Sequence, residues 1–75
     1  MEIKVLGTGC KKCSDLYENV MKALAESGME AKVEKIEDIV SIMSFGVMST
    51  PALVIDGEVV VSGRVAGSEE IEGLL

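Results

Sequence analysis

The stretch LGTGCKKCS, residues 6–14, contains both cysteines of this 75-residue chain, with two lysines between them. Two thiols at this spacing can form a structural cross-link, bind a metal ion, or form a disulfide that opens and closes. The stretch also lies where one pattern of apolar residues stops and another begins. Which chemistry applies therefore depends on the elements predicted on either side of it.

The residues before the cysteines predict a strand, and those after them predict a helix. Glu2–Leu6 alternates polar with apolar side chains and stops at a glycine-rich turn, residues 7–9. From Cys13 onward the apolar residues recur at helical spacing, and Gly28 supplies a stop signal. Cys10 thus falls at the start of an amphipathic helix, and Cys13 heads its apolar line, which continues through Leu16, Val20 and Leu24.

The middle of the chain predicts a second strand and a short second helix. Residues 29–36 alternate again, and a strand, helix, strand order implies a parallel pair with a right-handed crossover. Asp38 is the predicted cap of the second helix, and Gly46 is its predicted end. Three apolar residues of this helix are expected to face inward, namely Ile39, Ile42 and Met43.

The last third predicts a hairpin and a final helix. Ala52–Ile55 is an apolar run typical of a central strand buried on both faces, and Asp56-Gly57 is a strong hairpin signal before Glu58–Ser62. Ser68 is the predicted cap of a helix over residues 69–75. The complete order is βαβαββα, a single α/β domain spanning residues 1–75, with a four-stranded mixed sheet and helices on both faces.

Composition argues against several classes of partner. Thirteen acidic residues against seven basic ones give a net charge of -6, which disfavours binding to nucleic acid or to an anionic membrane surface. The chain shows no apolar run of membrane-spanning length and no recognisable targeting segment at its start. We therefore expect a cytoplasmic protein that is a monomer and binds neither nucleic acid nor membrane.

Two of the three possible uses of the cysteines are disfavoured, the structural cross-link by the size of the ring and the zinc site by the number of ligands. A ring as small as the one that Cys10 and Cys13 would close contributes about 2 kcal/mol in the chain-entropy model, against roughly 3 for a 15-residue loop. A structural zinc site needs about four Cys or His ligands, whereas this chain has two cysteines and no histidine. Two-coordinate binding of a soft ion such as Cu(I) by the two thiolates stays open as an alternative.

The redox use accounts for more of the local sequence. A helix start and the neighbouring Lys11 and Lys12 favour the thiolate of Cys10 and should lower its pKa. Cys13, one turn further along, should be sheltered. We expect Cys10 to be the nucleophile and Cys13 the resolving thiol that releases a mixed disulfide, with no cofactor beyond this pair.

Gly9-Cys10-Lys11-Lys12-Cys13 after a first strand, together with Thr50-Pro51 before a hairpin, resembles the thioredoxin and glutaredoxin superfamily. Within it, the chain is similar to the small redox-active disulfide proteins of archaea and bacteria. This resemblance implies a thioredoxin-like fold and a thiol-disulfide oxidoreductase that acts on disulfide-containing proteins and is fed by an unidentified reductase. It also implies a cis Thr50-Pro51 bond beside the cysteines, with Thr50 and Pro51 binding the substrate chain.

Some positions depart from the patterns of that superfamily. The pair between the cysteines is Lys-Lys rather than the Gly-Pro of thioredoxins, no Trp precedes Cys10, and residues 62–68 lack a recognisable glutathione signature. Four apolar residues after the second strand allow two interpretations. Packing in the core and loops is the expected one, and an apolar rim for a partner protein is the other. They are Met43, Phe45, Val47 and Met48.

Overall fold

The computed structural model describes residues 1–8 and 11–75, which form seven elements in the predicted order βαβαββα. The strands are Glu2–Leu6 (β1), Lys32–Ile36 (β2), Ala52–Ile55 (β3) and Glu58–Ser62 (β4). The helices are Lys11–Ser27 (α1), Ile39–Ser44 (α2) and Ser68–Leu74 (α3). None of these helices has the combination of length and apolarity needed to cross a membrane, as far as the described ranges go.

The four strands form one mixed sheet in the order β2-β1-β3-β4. β1 and β2 are parallel, while β3 is antiparallel to both β1 and β4, which confirms the predicted parallel half and hairpin. Asp56 and Gly57 form the hairpin turn with φ values of 49° and 84°, the left-handed conformation that a two-residue turn of this kind requires. The Asp56 carboxylate also accepts a hydrogen bond of 2.9 Å from the backbone N–H of Glu2.

The sheet separates two apolar cores because successive side chains of a strand point to opposite faces. The larger core joins residues of β1, β3 and β4 to the buried sides of α1 and α3. The smaller core lies on the side of α2 and contains Leu6, Ile42, Ala52 and Val54. Every residue of β3 is buried, as predicted for a central strand, and helices cover both faces of the sheet.

Several predicted boundaries are confirmed by local contacts. Gly28 follows the last residue of α1 with a φ of 70°, the conformation of a helix-terminating glycine. The Asp38 carboxylate caps α2 by accepting a hydrogen bond of 3.1 Å from the backbone N–H of Ser41. Gly46, with a φ of 79°, follows the end of α2. These signals could be identified in the sequence because each depends on neighbouring residues alone.

Three predictions about elements were wrong. The second strand begins at Lys32 rather than at residue 29. Gly67 is the N-cap of α3 and Ser68 is its first residue, so Ser68 does not cap the helix. Of the three residues of α2 expected to face inward, Ile42 is buried, but Ile39 and Met43 are 61% and 68% exposed. A helix of six residues makes less than two turns, so few of its side chains reach the sheet.

Candidate active site

Cys13 lies in the first turn of α1 and is sheltered from solvent. Its exposed fraction is 7%, and the apolar line that it heads continues through buried residues of the same helix. Lys11 and Lys12, which precede it in α1, are both exposed. The helix therefore separates a buried sulfur from an exposed, positively charged start, as the spacing of the residues predicts.

Gly7, at the end of β1, leaves the space that the sulfur of Cys13 occupies. A β-carbon at position 7 would lie 2.0 Å from the Cys13 Sγ and 3.0 Å from the Cys13 Cβ, well inside van der Waals contact. The backbone N–H of Gly7 donates a hydrogen bond of 3.0 Å to the carbonyl of Ile36, which ties this residue to the end of β2. The sequence predicted a turn here but not this contact, since the contact exists only after α1 has packed on β1.

The predicted nucleophile, Cys10, lies with Gly9 outside the described residues. Its lowered thiol pKa, its disulfide with Cys13 and the influence of Lys11 and Lys12 on it therefore stay predictions. In the sequence, Cys10 stands directly before Lys11, the first residue of α1.

The Thr50-Pro51 peptide bond is cis, the isomer that the resemblance implies. Pro51 is buried, and its carbonyl accepts a hydrogen bond of 2.9 Å from the backbone N–H of Gly63, just beyond β4. Thr50 is exposed and lines a groove that Thr8 also lines. Thr8 belongs to the turn that leads to the cysteines, so the fold brings the two widely separated segments together.

This groove has a volume of about 210 Å³ and a wall of apolar side chains from α2 and the loop after it. Met43 and Met48 are 68% and 96% exposed, so the expectation that they pack inside was wrong. Phe45 and Val47 do pack against the smaller core, as expected. We call the exposed surface formed by Ile39, Met43 and Met48, together with the neighbouring Val40, the α2 patch.

A second, much smaller cavity of about 20 Å³ lies beside Cys13. Its charged lining residues are Lys35, in β2, and Glu37, directly after it. The Lys35 ammonium also lies 4.5 Å from the centre of the Tyr17 ring. Sequence reasoning assigned no role to Lys35 or Glu37, because the alternation of β2 predicts a strand but not the residues that its end meets.

An exposed, bidentate ion pair joins the loop between β4 and α3 to α3. The guanidinium of Arg64 donates two hydrogen bonds to the carboxylate of Glu70, one of them 2.7 Å long. These bonds lower the pKa of the Glu70 carboxyl from its ordinary value. The same loop receives a hydrogen bond of 2.9 Å from the Asn19 side chain to the Ala66 carbonyl, so it is tied to α1 as well.

No cluster of three or more potential ligands (His, Cys, Asp or Glu) suited to a metal ion occurs among residues 1–8 and 11–75.

Comparison with known proteins gives concordant matches over the chain. A family model described as a thioredoxin domain matches residues 1–75. A protein named Thioredoxin from Methanothermobacter thermautotrophicus is 41% identical over 75 residues, which cover 100% of this chain and 97% of that protein. A second protein named Thioredoxin, from Methanocaldococcus jannaschii, is 40% identical over 70 residues, covering 93% of this chain and 80% of the relative.

Proposed function

We propose a specific role for this chain, which belongs to the thioredoxin family and is a thiol-disulfide oxidoreductase in the general sense. In this role the dithiol of Cys10 and Cys13 reduces disulfides of partner proteins, and a separate reductase restores the dithiol. The chain acts as a monomer in the cytoplasm, where thiols are mostly kept reduced. No cofactor takes part beyond the cysteine pair.

The observation that carries the proposal is the position of Cys13 in the first turn of α1. Cys13 is 7% exposed and its sulfur fits against Gly7, while the other cysteine precedes α1 in the sequence. A sheltered thiol is a poor first nucleophile but a suitable resolving one, because it needs to reach a sulfur three residues away rather than an external molecule. Lys11 and Lys12, both exposed, add positive charge that favours a thiolate at Cys10.

The groove beside Thr50 supports a protein as the substrate. Its walls are apolar and open, as expected for a surface that receives a chain carrying a disulfide. Thr50 and Pro51 are proposed to bind that chain, with the backbone of Thr50 pairing with the substrate backbone. The side chains of the α2 patch then contact the residues that flank the substrate disulfide.

The reaction proceeds in two exchanges. The thiolate of Cys10 attacks one sulfur of the partner disulfide, so a mixed disulfide forms and the other partner sulfur leaves as a thiolate. The Cys13 thiol then loses its proton and attacks the Cys10 sulfur. The second partner thiolate departs, and the two electrons that reduce the partner come from the dithiol, which becomes the Cys10–Cys13 disulfide.

Trapping of the mixed disulfide tests this order of events. We expect Cys13→Ser, treated with insulin as a disulfide substrate, to accumulate an adduct on Cys10 that survives a non-reducing gel. Serine keeps the size of the side chain but is a far weaker nucleophile at neutral pH, so the adduct cannot be resolved quickly. Cys10→Ser lacks the attacking sulfur and should form few adducts.

The wild type and Ser14→Ala are the matched controls, and both should turn insulin over with dithiothreitol as the reductant. Equal trapping by the two cysteine variants would contradict the assignment of roles. Failure of the wild type to reduce insulin, together with retention of Cu(I) by the reduced protein, would replace the oxidoreductase role by metal binding.

A further inference from the structure

The five methionines of this chain all lie on its surface, where each is at least 37% exposed. Methionine is ordinarily among the residues found most often inside a core. The buried residues of the two cores are instead isoleucine, leucine, valine and alanine. A change in the polarity of a methionine side chain therefore alters the surface of this protein rather than its core.

Met43 and Met48 are the most exposed of the five, at 68% and 96%, and both line the groove beside Thr50. Met43 belongs to α2, and Met48 lies in the loop two residues before Thr50. The same two methionines line an adjoining, wider hollow of about 430 Å³. The other three methionines lie before β1, on α1 and in the segment after α1. Two thioethers thus form a large part of the apolar wall of the groove.

A thioether exposed to solvent reacts with peroxides. The sulfur attacks one oxygen of hydrogen peroxide, the O–O bond breaks, and the S–O bond of a sulfoxide forms. The sulfur loses two electrons, and the peroxide gains them and leaves as water. The sulfoxide is polar, and sulfoxide reductases convert it back to the thioether. The exposed fractions place Met48 and Met43 first among the methionines of this chain for this reaction.

On the basis of the function proposed above, we propose that Met43 and Met48 form a site of reversible oxidation that controls the docking of protein substrates. A peroxide converts their thioethers to sulfoxides, so the apolar wall of the groove becomes polar. A substrate chain that covers this wall must then remove water from the sulfoxide oxygens, which opposes binding. Exchange with proteins slows until a sulfoxide reductase restores the thioethers, while small disulfides, which do not need the wall, still react.

Peroxide treatment of the disulfide form separates methionine chemistry from cysteine chemistry. The disulfide protects Cys10 and Cys13 from the peroxide. After the peroxide is removed, dithiothreitol restores the dithiol and leaves the sulfoxides in place. Peptide mass mapping gives the extent of oxidation at each methionine, and we expect Met48 to be modified first and Met29, the least exposed, last.

The treated wild type should have a KM for insulin about tenfold higher than the untreated protein, as expected when apolar side chains no longer bury against a partner. The rate with a small aromatic disulfide and the urea midpoint should stay the same, because the modified side chains lie outside the cores. Incubation with methionine sulfoxide reductases, one for each epimer of the sulfoxide, should return the KM to its starting value.

The matched variant is Met43→Leu with Met48→Leu, whose side chains at these positions are apolar and cannot be oxidised. Its KM for insulin should be the same before and after peroxide treatment, although its other three methionines are still oxidised. Met21→Leu removes a thioether of α1 and keeps both groove methionines. After treatment it should show the same rise in KM as the wild type.

Four outcomes would overturn the inference. The first is an unchanged KM for insulin in a wild type whose Met43 and Met48 are fully oxidised, and the second is oxidation that spares these two methionines. The third is an equal rise in KM in the double leucine variant, and the fourth is an equal loss of rate with both substrates, which would place the damage at the cysteines. Failure of the untreated, reduced wild type to reduce insulin would instead overturn the proposed function, and this inference with it.

Discussion

At the scale of single residues, the contact between Gly7 and Cys13 links the fold to the chemistry. The Cys13 sulfur occupies the volume that any side chain at position 7 would fill, with 2.0 Å between the sulfur and a β-carbon built there. Gly7 is itself buried and bonded to the end of β2. The Cys13 sulfur is thus positioned by the meeting of β1, β2 and α1.

Gly7→Ala should therefore destabilise the protein and displace the sulfur. Overpacking of a filled site costs about 1–3 kcal/mol, and we expect a loss of that size in the free energy of unfolding from urea titration of the reduced protein. The double variant Gly7→Ala with Cys13→Ala should lose less free energy of unfolding than the sum of the two single variants. Without the Cys13 sulfur, the new β-carbon at position 7 no longer meets it. Full additivity would contradict the contact.

The matched control is Gly73→Ala, since nothing lies within 4 Å of a β-carbon at position 73 in α3. Alanine is the better helix former by roughly 0.5–1 kcal/mol, so this variant should be as stable as the wild type or more so. A loss of stability equal to that of Gly7→Ala would show that glycine replacement in general, rather than the Cys13 contact, is responsible.

The sequence alone predicts some of the residues around the cysteines and gives no indication of others. Cys10, Cys13, Thr50 and Pro51 could be predicted as site residues because their types and spacing form a motif, and their roles stay predictions. The place of Glu37 in the lining of the cavity beside Cys13 could not be predicted, since a glutamate directly after a strand is ordinarily a solvated surface residue. Long-range proximity of this kind has no local signal.

At the scale of elements, α2 likewise has features that the sequence predicts and one that it does not. Its ends were predictable, because the Asp38 cap and the glycine after the helix act within a few residues. Its orientation was not, because a pattern of apolar residues at helical spacing predicts burial only where a large surface is available to cover them. The short helix buries Ile42 and leaves Ile39 and Met43 outside.

The Asp38 cap should make the stability of the protein depend on pH. Hydrogen bonds from the Ser41 side chain and then from its backbone N–H lower the pKa of Asp38 below its ordinary value of 3.8. A carboxyl with a lowered folded-state pKa stabilises the fold above its ordinary pKa, and this contribution is lost as pH falls through the folded-state value.

Asp38→Asn keeps a capping side chain but has no carboxyl to titrate. We expect its urea midpoint to lie below that of the wild type at pH 7 and the difference to shrink as the pH is lowered from about 5 to 3. Asp38→Ala should lose more than Asp38→Asn at pH 7, because the cap itself is gone. A difference between wild type and Asp38→Asn that stays constant down to pH 3 would contradict this account.

At the scale of the whole molecule, the sheet places the main core and the proposed docking groove on different faces. The larger core under α1 and α3 contains most of the buried apolar residues. The face under α2 has a smaller core, where the Lys4 ammonium lies 5.3 Å from the centre of the Phe45 ring, and the α2 patch is left uncovered. Because the groove beside Thr50 opens on this second face, docking can be altered without loss of the main core.

This separation predicts that the double variant Met43→Gln with Met48→Gln loses protein substrates selectively. Both side chains are exposed, so the free energy of unfolding should change by less than about 0.5 kcal/mol for each. Burial of a methionine against a partner is worth about 1.5–3 kcal/mol, so the KM for insulin should rise about tenfold or more, while the rate with a small aromatic disulfide stays the same.

The matched control is Met21→Gln, which replaces a methionine that is 45% exposed on α1 and should leave the kinetics with both substrates unchanged. Equal losses with both substrates would assign the two methionines to the redox site itself, and an unchanged KM for insulin would remove the α2 patch from docking.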